Sequence, residues 1–205
     1  MAEGSRSHEM RIMMIAPRLR SGGAERQHVY LSGQLAVRGH RITVATLQRG
    51  ERYPSFWSGN TRLRQLGTGN NYDPRLLYRL YRSIKDISPD IVHTWNPQTD
   101  ILGGVAARLN RTLWVIREPN CAEFYRSGWK AKIRARLGRT AAAIIANSRG
   151  GGDYWKRLYP KKIIYTIPNG LPLKEIEKVE PISRRELGIG PKEQFFLYAR
   201  SEERR

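Results

Sequence analysis

The chain has 205 residues, 40% of them hydrophobic, and its 37 Lys and Arg residues against 18 Asp and Glu residues give a net charge of +19. That length allows one full domain and part of another, and the charge favours nucleic acid, anionic lipid or phosphorylated ligands as partners. A single cysteine, Cys121, excludes an internal disulfide. No apolar run predicts a membrane helix or a secretory signal. We therefore expect a cytoplasmic protein, either free or peripheral at the inner membrane face.

Short apolar runs alternate with helix-like segments along most of the chain. The runs are nearly continuous in apolar residues, which is typical of parallel strands covered on both faces. In chain order, the predicted strands are RIMMIAP, RITVATL, DIVHTW, LWVIREP, AAIIANS and IIYTIP.

Helices are predicted between these strands from apolar residues at helical spacing. The first has Ala24, His28, Leu31 and Leu35 on one face and ends at Gly39. The second, DPRLLYRLYRSIKDIS, begins at an Asp-Pro pair and carries an apolar stripe made of Leu77, Leu80, Tyr81 and Ile84. The segments TDILGGVAARL and GWKAKIRARLG supply two more helices.

This alternation of strands and helices predicts an α/β fold with a doubly wound, mostly parallel, Rossmann-like sheet. Ligands of such sheets bind at the carboxyl ends of the strands. The loops of interest therefore open at Pro17, Trp95, Pro119, Ser148 and Asn169. After the IPNG segment the chain becomes proline-rich and charged. We expect a domain over residues 1–172, a linker over 173–194 and the first strand of a further domain over 195–205.

Four segments, in this order, resemble the N-terminal domain of family 4 glycosyltransferases of the GT-B fold: RIMMIAPRLRSGGAERQ, DIVHTWNPQTDILGGVAARL, IIANSRGG and IPNGL. The resemblance covers about residues 11–172. It implies one half of a two-domain enzyme with its active site in the cleft between the domains. It also implies that the complete enzyme transfers a sugar, with retention, from a nucleotide-diphosphate donor to a glycan or lipid-linked acceptor. No cofactor and no metal are expected.

The segment FFLYARSEERR resembles the start of the donor-binding domain. By this resemblance, Arg200 and Arg205 bind the donor diphosphate. Ala199 and Ser201 replace the family's Gly and Leu, and the family's pair of Glu residues eight positions apart is absent. We therefore expect this chain to be inactive alone, with a missing C-terminal domain or a partner chain completing the site.

The glycine pair in SGGAERQ has three interpretations. Gly22 and Gly23 could form a tight strand-to-helix turn, or their N–H groups could bind a phosphate at the helix N-terminus. Glu25 in the first helical turn would repel that phosphate, and the spacing does not match a dinucleotide-binding loop. The family resemblance implies a third role, in which the glycines leave room for a sugar in the cleft.

Polar residues at the strand ends are the other cleft candidates. His93 is either a packed, hydrogen-bonded residue or the active-site histidine of a segment that is often His-x-His in the family; here Trp95 holds the second position. Trp95 and Asn96 could offer a stacking face and a polar contact to a sugar ring. Arg117 and Glu118 are either a surface ion pair or contacts to an acceptor phosphate and to sugar hydroxyls. Asn147, beside Ser148, caps the next helix or lines the cleft.

A basic helix, GWKAKIRARLG, carries the clearest charge feature. Trp129, Ile133 and Leu137 share one face, and basic residues surround it: Lys130, Lys132, Arg134, Arg136 and Arg139. The helix is either solvated or a site that rests on anionic lipid. Two alternative functions stay open: a non-catalytic membrane-docking or partner subunit of a split transferase, and a basic protein that binds nucleic acid without specificity. No specific nucleic acid is expected as a partner.

Overall fold

The computed structural model describes residues 9–19, 22–49, 57, 59–67, 73–119, 128–190 and 192–196. The chain divides into two units, Met1–Gly170 and Leu171–Arg205. The first unit contains, in order, β1 (Arg11–Ala16), α1 (Gly23–Val37), β2 (Arg41–Thr46), β3 (Thr61–Gln65), α2 (Arg75–Ile87), β4 (Ile91–Thr94), α3 (Pro97–Leu109), β5 (Leu113–Glu118), α4 (Trp129–Gly138), β6 (Ala143–Ala146), α5 (Arg149–Leu158) and β7 (Ile164–Thr166). The second contains the short helix α6 (Leu173–Ile176). The domain boundaries at residues 172 and 194 stay a prediction.

The seven strands form one sheet in the order β3-β2-β1-β4-β5-β6-β7, and every pairing is parallel. Met14 in β1 pairs with Val44 in β2 on one side and with His93 in β4 on the other. The order reverses at β1, which makes β1 and β4 the switch point where the carboxyl ends of the strands open a crevice. The predicted doubly wound α/β fold is confirmed.

All six predicted strands form, but the edge strand β3 was not predicted. Its sequence, TRLRQ, has one large apolar residue, Leu63, and its Arg62 and Gln65 are exposed. An edge strand is paired on one side only and lacks the continuous apolar run that indicates a buried strand. At the other end of the chain, Phe195 and Phe196 do not lie in a strand, and residues 197–205 lie outside the described residues.

Helices cover the sheet unequally. One core cluster joins Met14 and Val44 of the sheet to Ala36 of α1. The larger cluster, on the opposite face, joins the sheet to residues of α2, α3 and α5, including Leu80, Ala106 and Trp155. Successive residues of a strand point to opposite faces, so the strands are apolar on both sides.

The helix ends follow local sequence signals. Gly39 has φ +89, the left-handed conformation expected of glycine just after a helix, and it follows the end of α1. Asn96 caps α3: its side chain accepts from Thr99 N, while the Thr99 hydroxyl bonds back to the Asn96 backbone. Ser148 caps α5 by accepting from Gly151 N at 3.2 Å. The predicted cap at the Asn147–Ser148 pair is therefore confirmed for Ser148.

Candidate functional site

A cluster of polar side chains lies at the carboxyl end of the sheet, beside the switch point. We call it the edge cluster: His28 from α1, His93 from β4, Trp95 just after β4, and Arg117 from β5. All four are at most 6% exposed. The parallel sheet brings His93 and Arg117 to the same edge, and α1 places His28 against Trp95 there.

His93 is hydrogen-bonded on one side of its ring only. Its Nδ1 accepts from the indole Nε1 of Trp95 at 3.3 Å. Its Nε2 is buried and has no hydrogen-bond partner among the described residues. Burial, with a smaller effect from Arg117, lowers the pKa of His93 to about 3. His93 is therefore a neutral imidazole at neutral pH with one nitrogen available to a ligand.

His28 is a site residue that the sequence interpretation placed only on the apolar face of a helix. Its ring is 0% exposed and meets the edge of Trp95 with a centroid distance of 5.0 Å. Neither ring nitrogen has a partner within the described part of the chain. Burial, with a smaller contribution from His93, lowers the pKa of His28 to about 3. A histidine inside an otherwise apolar stripe was the signal that could have found it.

Arg117 is held inside the protein instead of facing an acceptor phosphate. Its Nη1 donates to Ile167 O at 3.1 Å and its Nη2 to Asn169 Oδ1 at 2.8 Å. Its guanidinium lies 5.5 Å from the centre of the Trp95 ring. Both terminal nitrogens thus already donate to the chain, and the bidentate contact to an acceptor phosphate stays a prediction. Trp95, which is 4% exposed and enclosed by its neighbours, likewise offers no open face for stacking on a sugar.

The IPNG segment is fixed to the first helix. Gln27 Nε2 donates to Gly170 O at 2.7 Å, and Gly170 N donates to Gln27 Oε1 at 3.0 Å. Together with the Arg117–Asn169 bond, this ties the end of β7 to both β5 and α1. Gln27 was not predicted, because its partner, the Gly170 backbone, lies 143 residues away and leaves no local sequence signal.

The glycine turn lies at the start of α1. Gly22 is the residue just before the helix and has ordinary extended angles, φ −66 and ψ 154. The Glu25 carboxylate lies against Gly22, where a Cβ would collide with it, and its Oε1 accepts from Arg18 Nε at 3.4 Å. Beyond its chain neighbours and its own helix backbone, a Cβ added to Gly23 would meet no atom of the described residues within 4 Å. Gly23 thus borders open space, while the space at Gly22 is filled by Glu25.

Two asparagines from the predicted cleft have structural partners. The Asn96 side chain caps α3, as described above, and Asn147 Nδ2 donates to Pro119 O at 2.8 Å. Both residues are half-buried at the carboxyl edge. Asn147 therefore holds the loop after β5 against the loop after β6.

Glu118 belongs to a different, closed group of charges. We call it the ion cluster: Asp100, Glu118 and Arg134. Arg134 Nε donates to Asp100 Oδ2 at 2.6 Å, and its Nη1 donates to Glu118 Oε2 at 2.8 Å. All three residues are at most 1% exposed. The predictions that Glu118 binds sugar hydroxyls and that it pairs with Arg117 at the surface are both wrong, as is the expectation that Arg134 lies on a membrane-facing surface.

The ion cluster has a hydrogen-bonded frame. Thr94 Oγ1 donates to Asp100 Oδ1 at 2.5 Å and accepts from Trp114 Nε1 at 3.0 Å. Trp155 Nε1 donates to Glu118 Oε2 at 2.9 Å. Burial raises the pKa of Asp100 to about 6, against the opposing effect of the Arg134 charge. The cluster joins α3, α4 and α5 to the ends of β4 and β5.

The exposed side of α4 keeps the rest of the predicted basic patch. Trp129 is 68% exposed and Ile133 is 39% exposed. Lys130, Lys132 and Arg136 are exposed beside them. A groove of about 650 Å³ adjoins Trp129 and is lined in part by Pro74, Pro97, Ile101 and Leu102. None of the described helices is long and apolar enough to cross a membrane.

The C-terminal arginines and a possible metal site are the last features to place. Arg200 and Arg205, the expected diphosphate ligands, lie outside the described residues. Within the described ranges, no group of three or more His, Cys, Asp or Glu side chains could hold a metal ion.

The fold and the position of the edge cluster define a Rossmann-like half of a GT-B protein, and similar solved structures agree with this. HepE of Anabaena, in complex with UDP-glucose, superposes with a TM-score of 0.65 at 15% identity over 88% of this chain and 50% of HepE. Sucrose-phosphate synthase from Thermosynechococcus elongatus gives 0.67 at 17% identity over 89% and 53% of the two chains. MurG from Acinetobacter baumannii gives 0.57 at 18% identity over 84% and 50%. At these identities the likeness shows the fold alone.

The family follows from the sequence. The model of Glycosyltransferase Family 4 matches residues 21–175, which is more than half of the chain. The chain belongs to this family, and the resemblance drawn from its motifs is confirmed. It spans about half the length of the solved structures that it resembles. No curated protein matches the sequence significantly.

Proposed function

We propose that the chain is the N-terminal, acceptor-side half of a retaining glycosyltransferase. The complete enzyme transfers a sugar from a nucleotide-diphosphate donor to a glycan or lipid-linked acceptor. Family membership supports this proposal. So does the fold shared with HepE, which was solved in complex with UDP-glucose. The second half supplies most of the donor site, so this chain alone has no transferase activity.

The edge cluster is the observation that carries the proposal. It places the unpartnered Nε2 of His93 and the unpartnered Nε of Arg117 at the carboxyl edge of a parallel sheet, within the described residues. Buried polar atoms in folded proteins nearly always have a partner, so unpartnered ones indicate a bound molecule or solvent. The carboxyl edge at a switch point is where ligands of such sheets bind. In the complete enzyme, a sugar is that ligand.

The remaining roles follow from this placement. His93 contacts the reacting sugar, and Gly23 forms the small-residue wall of the cleft, with Gly22 and Glu25 closing the turn beside it. Arg200 and Arg205, with helix N-termini, stabilise the leaving diphosphate in place of a metal ion. Asn96 and Asn147 hold the loops that border the cleft. Arg117 supports the site through its bond to Asn169.

A turnover assay on two preparations tests the proposal. One is the 205-residue chain, and the other is the chain completed by the donor-binding half of its enzyme. Each is given a panel of nucleotide sugars with an extract of cellular glycans and lipids, and release of nucleoside diphosphate is measured. We expect release from the completed form only, with an α-donor giving an α-product by NMR. Turnover by the chain alone would contradict the claim that it is half of an enzyme. A product of inverted anomeric configuration would contradict a retaining mechanism.

A second candidate property, docking on anionic membranes, is favoured by the exposed side of α4. An exposed Trp and Ile surrounded by three exposed basic residues match the pattern of an interfacial helix. Each basic residue near an anionic surface contributes about 1 kcal/mol. The apolar groove beside Trp129 could then receive the chain of a lipid-linked acceptor.

Vesicle sedimentation tests the docking. The chain is mixed with phosphatidylcholine vesicles with and without phosphatidylglycerol, and we expect binding only to the anionic ones. Replacing Lys130, Lys132 and Arg136 by Glu should weaken binding by about a hundredfold or more. The matched control replaces three exposed basic residues elsewhere, Arg108, Lys156 and Arg157, with the same change in net charge. Equal losses in the two triple variants would show that only net charge matters.

A further inference from the structure

The bond between Trp95 and His93 determines where the histidine proton lies. An indole nitrogen carries a hydrogen and can only donate, so His93 Nδ1 must accept. A neutral imidazole has one N–H group, and that group is then at Nε2. Nε2 is the atom that is buried without a partner among the described residues. The structure thus presents a single N–H donor that points away from the protein's own acceptors.

The surroundings of His93 keep it in this neutral form. Arg117 on β5 lies over the Trp95 ring, 5.5 Å from its centre, and disfavours a second positive charge. His28 on α1 also packs against the Trp95 ring, at a centroid distance of 5.0 Å, and is itself neutral. Within the described ranges, His93 has no carboxylate hydrogen-bond partner that could stabilise an imidazolium. Burial is the larger cause of the lowered pKa of His93, and the Arg117 charge adds to it.

We propose that Trp95 is a positioning residue that fixes His93 in its Nε2-protonated tautomer, so that Nε2–H donates a hydrogen bond to a substrate oxygen. This inference rests on the proposed function for the identity of the substrate, a sugar with hydroxyl and ring oxygens. It assigns His93 the role of a neutral hydrogen-bond donor. Acting as a general base would require the lone pair that the Trp95 N–H already occupies.

The Trp95 ring is held in place for this task. His28 packs on one side of it at an angle of 62° between the ring planes, and the Arg117 guanidinium lies over it. Arg117 is in turn anchored by Ile167 O and Asn169 Oδ1. A tryptophan so enclosed cannot stack on a ligand, but it can orient the neighbouring ring. This accounts for a tryptophan two residues after the histidine, in a position that the sequence interpretation gave to sugar stacking.

Nuclear magnetic resonance of the ring nitrogens tests the tautomer without any transferase assay. The 205-residue chain is labelled with ¹⁵N-histidine, and its imidazole nitrogens are followed through a pH titration. We expect His93 to show a protonated Nε2 and an unprotonated Nδ1 at neutral pH. Trp95→Phe should convert His93 to a mixture of tautomers, and Trp129→Phe, at the exposed Trp, should leave it unchanged.

The wild-type spectrum alone can overturn the inference, whether or not the Trp95 variant folds. A protonated Nδ1 at neutral pH would contradict the bond to Trp95. A His93 tautomer that is the same in wild type and Trp95→Phe would show that Trp95 does not set it. Either result leaves the proposed transferase function standing, because neither measures sugar transfer.

Two amide variants test the donor role in the completed enzyme. His93→Gln places an amide N–H near the position of Nε2, and His93→Asn places one near Nδ1. We expect the KM of His93→Gln to stay close to that of wild type. The KM of His93→Asn should be about fivefold higher, which is the effect of losing one hydrogen bond. The kcat of the wild-type enzyme should not change between about pH 6 and 8, because His93 stays neutral and does not titrate in that range. Equal KM values for the two variants, or a kcat that follows titration of His93, would overturn the donor role.

Discussion

The carboxyl ends of β4 and β5 contribute to two buried polar clusters. The clusters differ in how many of their polar atoms have hydrogen-bond partners. In β4, His93 points into the edge cluster and the next residue, Thr94, bonds to Asp100 of the ion cluster. In β5, Arg117 belongs to the edge cluster and the next residue, Glu118, belongs to the ion cluster. Successive residues of a strand face opposite sides of a sheet, so neighbours in sequence enter different environments.

In the ion cluster each carboxylate is paired with a cation, and we call such a cluster closed; in the edge cluster several buried nitrogens lack a partner among the described residues, and we call it open. Both carboxylates of the ion cluster bond to the Arg134 guanidinium. In the edge cluster, four buried ring and guanidinium nitrogens have no partner in the described part of the chain: His28 Nδ1, His28 Nε2, His93 Nε2 and Arg117 Nε. Closed buried networks stiffen a fold, whereas open ones cost stability unless a ligand completes them. This difference is what the proposed function predicts: the closed cluster stabilises the fold, and the open cluster binds the ligand.

The largest expected effect comes from removing the cation of the ion cluster. Arg134→Met leaves Asp100 and Glu118 buried side by side without their shared counterion. We expect a loss of about 3–5 kcal/mol in the free energy of unfolding, measured by urea denaturation. Arg117→Met in the edge cluster removes two hydrogen bonds but leaves no buried carboxylate without its counterion. It should lower the free energy of unfolding by about 1–3 kcal/mol.

Arg136→Met is the matched control on the same helix. Arg136 is exposed, so its loss should change the free energy of unfolding by less than about 0.5 kcal/mol. If Arg117→Met is as destabilising as Arg134→Met, the distinction between an open and a closed cluster does not hold.

Sequence patterns were sufficient for the fold and insufficient for this distinction. Apolar runs and glycine or capping signals located six strands and four of the helices, α1 to α4, because both reflect local backbone preferences. Nothing local separates Arg134 from Lys132 or Arg136 in KAKIRAR. Arg134 is buried because its turn of α4 faces Asp100 and Glu118, which lie 34 and 16 residues away. Partners so distant in sequence are set by tertiary packing, which also explains why His28 and Gln27 were missed.

Acid should destabilise the edge cluster through its two buried histidines. The pKa values of His28 and His93 are lowered from 6.5 to about 3, so the unfolded chain binds more protons than the folded chain between these values. Stability from these residues is therefore complete above pH 6.5 and falls as the pH decreases toward 3. At pH 5 each histidine should account for a loss of about 2 kcal/mol relative to neutral pH.

Asp100 acts in the opposite direction. Its pKa is raised from 3.8 to about 6, so the folded chain binds the extra proton, and its contribution improves as the pH falls through 6. A variant separates the two effects. In His28→Gln, the difference in urea-unfolding free energy between pH 7 and pH 5 should be about 2 kcal/mol smaller than in wild type. An unchanged difference would mean that His28 is not held neutral by burial.

The smallest expected effect concerns the glycine turn next to the open cluster, where stability and activity should change in opposite directions. Gly23 is the first residue of α1, and beyond the local backbone a Cβ there meets no atom of the described residues within 4 Å. Gly23→Ala should therefore raise the free energy of unfolding by about 0.5–1 kcal/mol. If that open space is where the sugar lies, the same methyl group should lower kcat/KM of the completed enzyme. Gly22→Ala is the comparison, because its methyl group displaces the Glu25 carboxylate and should give no such gain in stability. A Gly23→Ala enzyme that is both more stable and fully active would show that Gly23 only turns the chain.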